Sequence, residues 1–109
     1  MLNLKKIFKK LQIKKGDNVY LSVNLGNVAK NYYDIKDYSK INISQIKSEL
    51  SNIISNTLSD YIGKKGTIVC PSFTFSFCSN GFFDYHKSPS ELGFFSEFFR
   101  KQINVYRSM

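Results

Sequence analysis

Two stretches of the chain carry apolar residues at helical spacing. Leu4, Ile7, Phe8 and Leu11 recur at i, i+3, i+4 and i+7 with lysines on the opposite side, which predicts an amphipathic packing helix over residues 2–11. It has to end before Gly16 and Asp17, which read as a turn. A longer stripe of Ile43, Ile46, Leu50, Ile53, Ile54, Leu58, Tyr61 and Ile62 predicts a second helix. Asn42 and Gln45 are spaced for a capping box at its start, and Gly63 stands where a C-terminal glycine cap belongs.

Strand patterns flank that helix. Residues 18–23 (NVYLSV) place Val19, Leu21 and Val23 at alternating positions. Residues 67–70 (TIVC) form a short apolar, β-branched run, stopped by Pro71 because proline has no N–H for a ladder. Strand, helix and strand in that order make a βαβ unit with a parallel pair, so the class is α/β and ligand sites are expected where the strands end. Those ends are residues 23–26 and 71–74.

The remaining segments are less regular. Residues 24–31 read as a strand-to-loop turn, and residues 27–40, with Tyr32, Tyr33 and Tyr38 among Asp34 and Asp37, as an irregular or partly helical solvated connection. After Pro71 aromatic residues alternate with hydroxyl and small ones (Phe73, Thr74, Phe75, Ser76, Phe77, Cys78), the composition of a long site-building loop over residues 72–89. Ser88, Pro89 and Ser90 then offer a helix start, with Glu91 in the first turn and Leu92, Phe95, Phe98 and Phe99 at helical spacing.

Composition narrows the class. With 109 residues the chain reads as one domain, and 42% hydrophobic with 16% aromatic residues argues against disorder. No apolar run approaches the roughly 20 residues that span a bilayer, and the basic N-terminus lacks the apolar core and cleavage site of a secretory signal. Cys70 and Cys78 are spaced so that pairing is possible, but two cysteines, one inside a strand, read more simply as reduced residues of a cytoplasmic protein. One histidine and two cysteines match no zinc pattern, and no nucleophile elbow is present.

The formal charge of +8 raises a nucleic-acid partner. Its distribution disfavours one: Lys5, Lys6, Lys9, Lys10, Lys14 and Lys15 crowd the first helix and its exit as a solvated face, away from the aromatics. A small basic module that binds nucleic acid or a partner protein through that helix is the alternative to an enzyme. An inactive fragment is a third.

Taken together, a G-T-(apolar)-(apolar)-x-P-S-F-T strand exit at residues 66–74, Phe83 with Asp84, S-P-S-x-x-G-x-x-S-E-x-F-R at residues 88–100 and Arg107 with Ser108 resemble the aminoglycoside 3-N-acetyltransferase family. The resemblance is collinear and extends over the whole chain at lower quality. It implies a three-layer α/β/α-type sheet on the βαβ core, incomplete in this chain, with residues 1–109 as the N-terminal portion of the domain. It also implies acetyl-CoA as co-substrate, an aminoglycoside or another amino sugar as acceptor, and antibiotic resistance as a role. No metal is implied.

Site residues follow from that resemblance. Ser22, Asn24 and Gly26 stand where the family accommodates coenzyme A, with only two polar slots kept, and Arg107 and Ser108 are placed for its phosphates, since arginine forms bidentate bonds to such groups. Ser72, Thr74 and Asp84 are candidates for the acceptor cleft; hydroxyls that satisfy loop backbone and an Asx turn after Phe83 are their ordinary alternatives. Arg100 reads as an anchor of its own helix. The family's base is a histidine shortly after the arginine–serine pair, whereas His86 precedes that pair and reads as a loop residue. The chain is therefore expected to be inactive alone. Polycationic aminoglycosides are not drawn to a +8 chain, whereas anionic coenzyme A is.

Overall fold

A computed structural model describes residues 3–33, 42–73, 77–102 and 104–107. The elements run α1 (Leu4–Lys10), β1 (Asn18–Tyr20), α2 (Leu25–Tyr32), α3 (Ile43–Ile62), β2 (Thr67–Val69), α4 (Phe77–Asn80) and α5 (Phe94–Arg100). Thr74 and Ser108, both candidate site residues, lie outside the described residues, as do residues 34–41 of the expected connection.

Helix α1 starts where Asn3 Oδ1 accepts the Lys6 N–H at 3.1 Å, and Lys9 and Lys10 in its last turn suit the negative end of the helix dipole. Its one buried residue, Phe8, meets Tyr61 of α3 edge to face at 5.5 Å between ring centres. Lys5, Lys6, Lys9 and Lys10 all face solvent. The following turn is fastened to the end of α3 by Gly16 N–H donating to Ile62 C=O at 2.7 Å.

The strands pair in parallel, Asn18 with Thr67, Val19 with Ile68 and Tyr20 with Val69. Val19 and Ile68 point into the packed side, and Asn18, Tyr20, Thr67 and Val69 are exposed, so β1 alternates as its sequence predicts and β2 alternates too, although its sequence is one apolar run. The first strand is shorter than its pattern because the chain turns into α2. Asn24, expected in a simple turn, caps that helix by accepting the Asn27 N–H at 3.2 Å. Leu25 and Ala29, one turn apart, are buried against α3, and the stretch expected to be irregular or partly helical begins inside this helix.

Helix α3 is the spine. Leu50, Ser51, Ile54, Leu58 and Ile62 are its buried stripe, and α1, α2, α5 and β2 all pack on it. Ser51 is tolerated there because its hydroxyl donates to Lys47 C=O at 2.7 Å. Only half of the capping box forms: Asn42 Oδ1 accepts the Gln45 N–H, and the Gln45 side chain turns forward to Glu49 at 3.3 Å. Gly63 closes the helix with φ of 76° and its N–H on Ser59 C=O. Gly66 serves close approach, since a Cβ there would lie 2.6 Å from Ile62 Cγ1.

Two clusters fill the core, one of Leu25, Ala29, Leu50, Ile54 and Phe95, the other of Phe8, Leu58 and Ile62. Both lie on the Val19 and Ile68 side of the sheet, so the described residues form two layers. On the other side Tyr20 is 69% and Val69 48% exposed, and the α/β class holds without a three-layer arrangement. Among the described residues no helix is long and apolar enough to cross a membrane.

The start of α5 differs from the pattern. Ser88 to Ser90 do not cap it; Gly93, at φ of 106°, is the N-cap, and Glu97 rather than Glu91 supplies the acid of the first turn. Tertiary bonds decide this. Ser90 N–H donates to Glu97 Oε2 at 2.5 Å, Ser90 Oγ is hydrogen-bonded to Ser96 Oγ at 2.6 Å, and Glu91 N–H donates to Phe73 C=O at 2.8 Å. These contacts tie residues 90–91 to α5 and to the stretch that follows β2.

Candidate functional site

A cleft of about 540 Å³ lies beside β2. Residues 66–70 run along it, Ile62 and Phe99 give apolar walls, and Ser72, Ser96, Arg100 and Arg107 supply polar groups. No β1 residue lines it, so it opens on the outer edge of β2 and reaches the strand's C-terminal end, where an α/β sheet places ligands.

Arg100 is held from within α5, and Arg107 by contacts with residues far back in the chain. Glu97 receives a two-pronged bond from Arg100, Nε to Oε2 and Nη2 to Oε1, both 2.6 Å, and a weaker contact from Lys101 Nζ at 3.3 Å. Burial pushes the Glu97 carboxyl up, but the Arg100 side chain and the Ser90 N–H outweigh it and hold the group below the usual carboxylate range. Arg100 also reaches His86 C=O at 3.3 Å, which ties α5 to the loop before it.

Arg107 is fixed from three sides. Its guanidinium lies 4.6 Å over the Phe83 ring and donates to Ser88 C=O, and its backbone N–H donates to Tyr85 Oη at 3.0 Å. Burial first and then the nearby Arg100 charge lower its pKa from the ordinary value, without removing its charge.

The loop that supports Arg107 is self-braced. Asp84 Oδ1 accepts the N–H of His86 at 2.9 Å and of Lys87 at 3.0 Å, while Asp84 N–H donates to Ser88 Oγ at 2.8 Å. The two accepted bonds, Lys87 first, hold the Asp84 carboxyl below its usual range. Asp84 thus adopts the Asx-turn arrangement and does not line the cleft. His86 is exposed, stacked edge to face on Tyr85 at 4.9 Å and likewise outside the cleft. Cys70 lines it as a half-buried free thiol that burial pushes up in pKa, against a smaller opposing bond with Ser96; Cys78 is free and exposed.

Of the residues singled out by sequence, the fold brings Ser72 and Arg107 to one cleft. Ser22, exposed, and Asn24 and Gly26, at the head of α2, sit beyond the end of β1 and outside its lining. Sequence reading missed Ser96 and Glu97 as organisers of the site; the serine–glutamate pair inside S-E-x-F-R was the available signal. Among the described residues no three His, Cys, Asp or Glu side chains gather to hold a metal.

A family model described as Aminoglycoside 3-N-acetyltransferase matches residues 39–109. The match takes in α3, β2, the loop and α5, together with Ser72, Asp84 and Arg107, while Ser22, Asn24 and Gly26 precede it. Neither the curated proteins nor the solved structures contain a match to the chain.

Proposed function

The chain belongs to the aminoglycoside 3-N-acetyltransferase family, and on that premise we propose that it serves transfer of an acetyl group from acetyl-CoA to an amine of an aminoglycoside or other amino sugar. The observation that carries this reading is the meeting of Ser72 and Arg107, distant in sequence and both inside the matched segment, on one cleft at the end of a parallel strand. Arg107 is the phosphate contact, with Ser108 beside it in sequence. By the resemblance Ser22, Asn24 and Gly26, beyond the end of β1, are further donor contacts and Ser72 and Thr74 serve the reacting centre, while Asp84 braces the loop that supports Arg107.

The chemistry asks for donors that position a polyanionic thioester and for a base that takes the ammonium proton. Two guanidinium groups and several hydroxyls on the cleft supply the first. The second is, by resemblance to the family, a histidine that follows the arginine–serine pair. The neutral-to-basic lining favours an anionic donor over a polycationic acceptor.

Titration calorimetry of acetyl-CoA with the purified chain tests the reading. Saturable binding that falls about tenfold in Arg107→Ala and weakens with added salt supports it. Absence of binding, or binding indifferent to Arg107, overturns it.

A further inference from the structure

Serine hydroxyls crowd this region, and nearly all are satisfied. Ser51 donates to Lys47 C=O, Ser88 Oγ accepts from Asp84 N–H, and Ser90 and Ser96 pair with each other while Ser96 also donates to Pro71 C=O. Ser72 is the exception. Its Oγ is buried and, among the described residues, has no hydrogen-bond partner. Leaving a hydroxyl so placed is costly, and the neighbouring serines demonstrate that this fold otherwise finds partners for them.

The position of that hydroxyl gives it a use. Ser72 stands just past Pro71, at the C-terminal end of β2, on the wall of the cleft that Arg107 also lines. Its backbone is held in place: Pro71 C=O on one side is bonded by Ser96, and Phe73 C=O on the other accepts from Glu91 N–H at 2.8 Å. A donor whose backbone is pinned on both sides and whose O–H is unspent is preorganised for an oxygen brought by a ligand.

We propose that the Ser72 hydroxyl donates to the carbonyl oxygen of the bound acyl thioester and stabilises the charge that develops there during transfer. The inference rests on the acetyl-CoA reading. In the step itself the acceptor nitrogen forms a bond to the carbonyl carbon, and the carbon–oxygen π pair moves onto oxygen, where Ser72 O–H holds it by a hydrogen bond without giving up its proton. Collapse reforms the carbonyl and breaks the carbon–sulfur bond. On the way from ammonium to amide the nitrogen gives up two protons: one passes through the base to solvent before the lone pair can attack, and the other ends on the departing thiolate. Ser72 touches the reacting carbonyl and is in that sense a catalytic residue; Ser90, Ser96 and Glu91 are positioning residues that act through its backbone.

Binding measurements that need no turnover test this. Acetyl-CoA labelled with ¹³C at the carbonyl is added to the chain, its carbonyl stretch is followed by infrared difference spectroscopy, and its affinity is compared with that of the S-ethyl thioether, which lacks the carbonyl. The expected result is a downshifted stretch and an about three- to tenfold preference for the thioester. Ser72→Ala should lose both, and Ser72→Thr, which keeps the hydroxyl, should retain them. Acetyl-CoA binding with an unshifted carbonyl, as when a water molecule satisfies Ser72, overturns the role of Ser72 and leaves the acetyl-CoA reading standing. A shift that survives Ser72→Ala overturns it too. If acetyl-CoA does not bind the unaltered chain, both fall.

Discussion

The Ser96 hydroxyl on α5 donates to the carbonyl of Pro71, joining the helix to the residue that ends β2. Because Ser96 is buried at 5% exposure and its oxygen also pairs with Ser90, one side chain fixes the helix, the strand exit and the loop that precedes α5. Ser96→Ala should cost about 1–3 kcal/mol, since it removes the donor to the Pro71 carbonyl and leaves the buried Ser90 hydroxyl without that partner. Denaturant unfolding checks this, with a lower midpoint and an unchanged slope expected; a midpoint equal to that of the unaltered chain would show the bond to be dispensable.

Acid should loosen the same region. The Glu97 carboxyl is held below its usual range despite burial, so it binds protons more readily unfolded than folded. Its contribution to stability is complete above the unfolded carboxylate value, about 4.3, and is lost as pH falls through the lower folded value. Asp84, depressed by the Lys87 and His86 amides, has the same sign. Thermal melts from pH 7 to pH 3 should fall less steeply at the acid end for Glu97→Gln than for the unaltered chain, from a lower starting value at pH 7. Parallel curves would disprove the link.

At Gly66 the restriction is steric. A methyl group there meets Ile62 Cγ1 at 2.6 Å, and Ile62 is itself 1% exposed in the core. Neither side has room to give, so Gly66→Ala should destabilise by about 1–3 kcal/mol. Differential scanning calorimetry would register this as a lower Tm, and part of the loss should return in Gly66→Ala combined with Ile62→Val.

Thiol labelling should separate the cysteines. Cys78 is exposed, whereas Cys70 is half-buried and its thiol is pushed up by that burial. Iodoacetamide at neutral pH should modify Cys78 first, with Cys70 lagging and catching up as pH rises. Equal rates, read by mass spectrometry, would contradict the packing of Cys70 against α5.

Much of the fold was legible because it is local. The α3 stripe, the Asn42 and Gly63 caps, the α1 face and the β-branched run at β2 each follow from residues a few positions apart, and each appears where the pattern puts it. Helix α2 was legible only in part, since residues 24–31 read as a strand-to-loop turn and residues 27–40 as irregular or partly helical. Leu25, Val28, Ala29 and Tyr32 repeat at helical spacing behind Asn24, a good cap, and that pattern prevailed.

The amino-acid sequence by itself determined α1, β1, α3, β2 and α5, the parallel pair and the family, though not α2 or the short α4 inside the expected loop, because periodicity, caps and short motifs are properties of neighbouring residues. Tertiary structure alone decided where α5 begins, since Ser90 and Glu91 are captured by Glu97 and Phe73 before a helix can form on them. It also decided that Ser72 and Arg107 share a cleft from which Asp84 is left out, and that Ser72 keeps a buried hydroxyl unspent. Such arrangements depend on hydrogen bonds between residues far apart in the chain, and no local pattern encodes which donor finds which acceptor once the layers have packed.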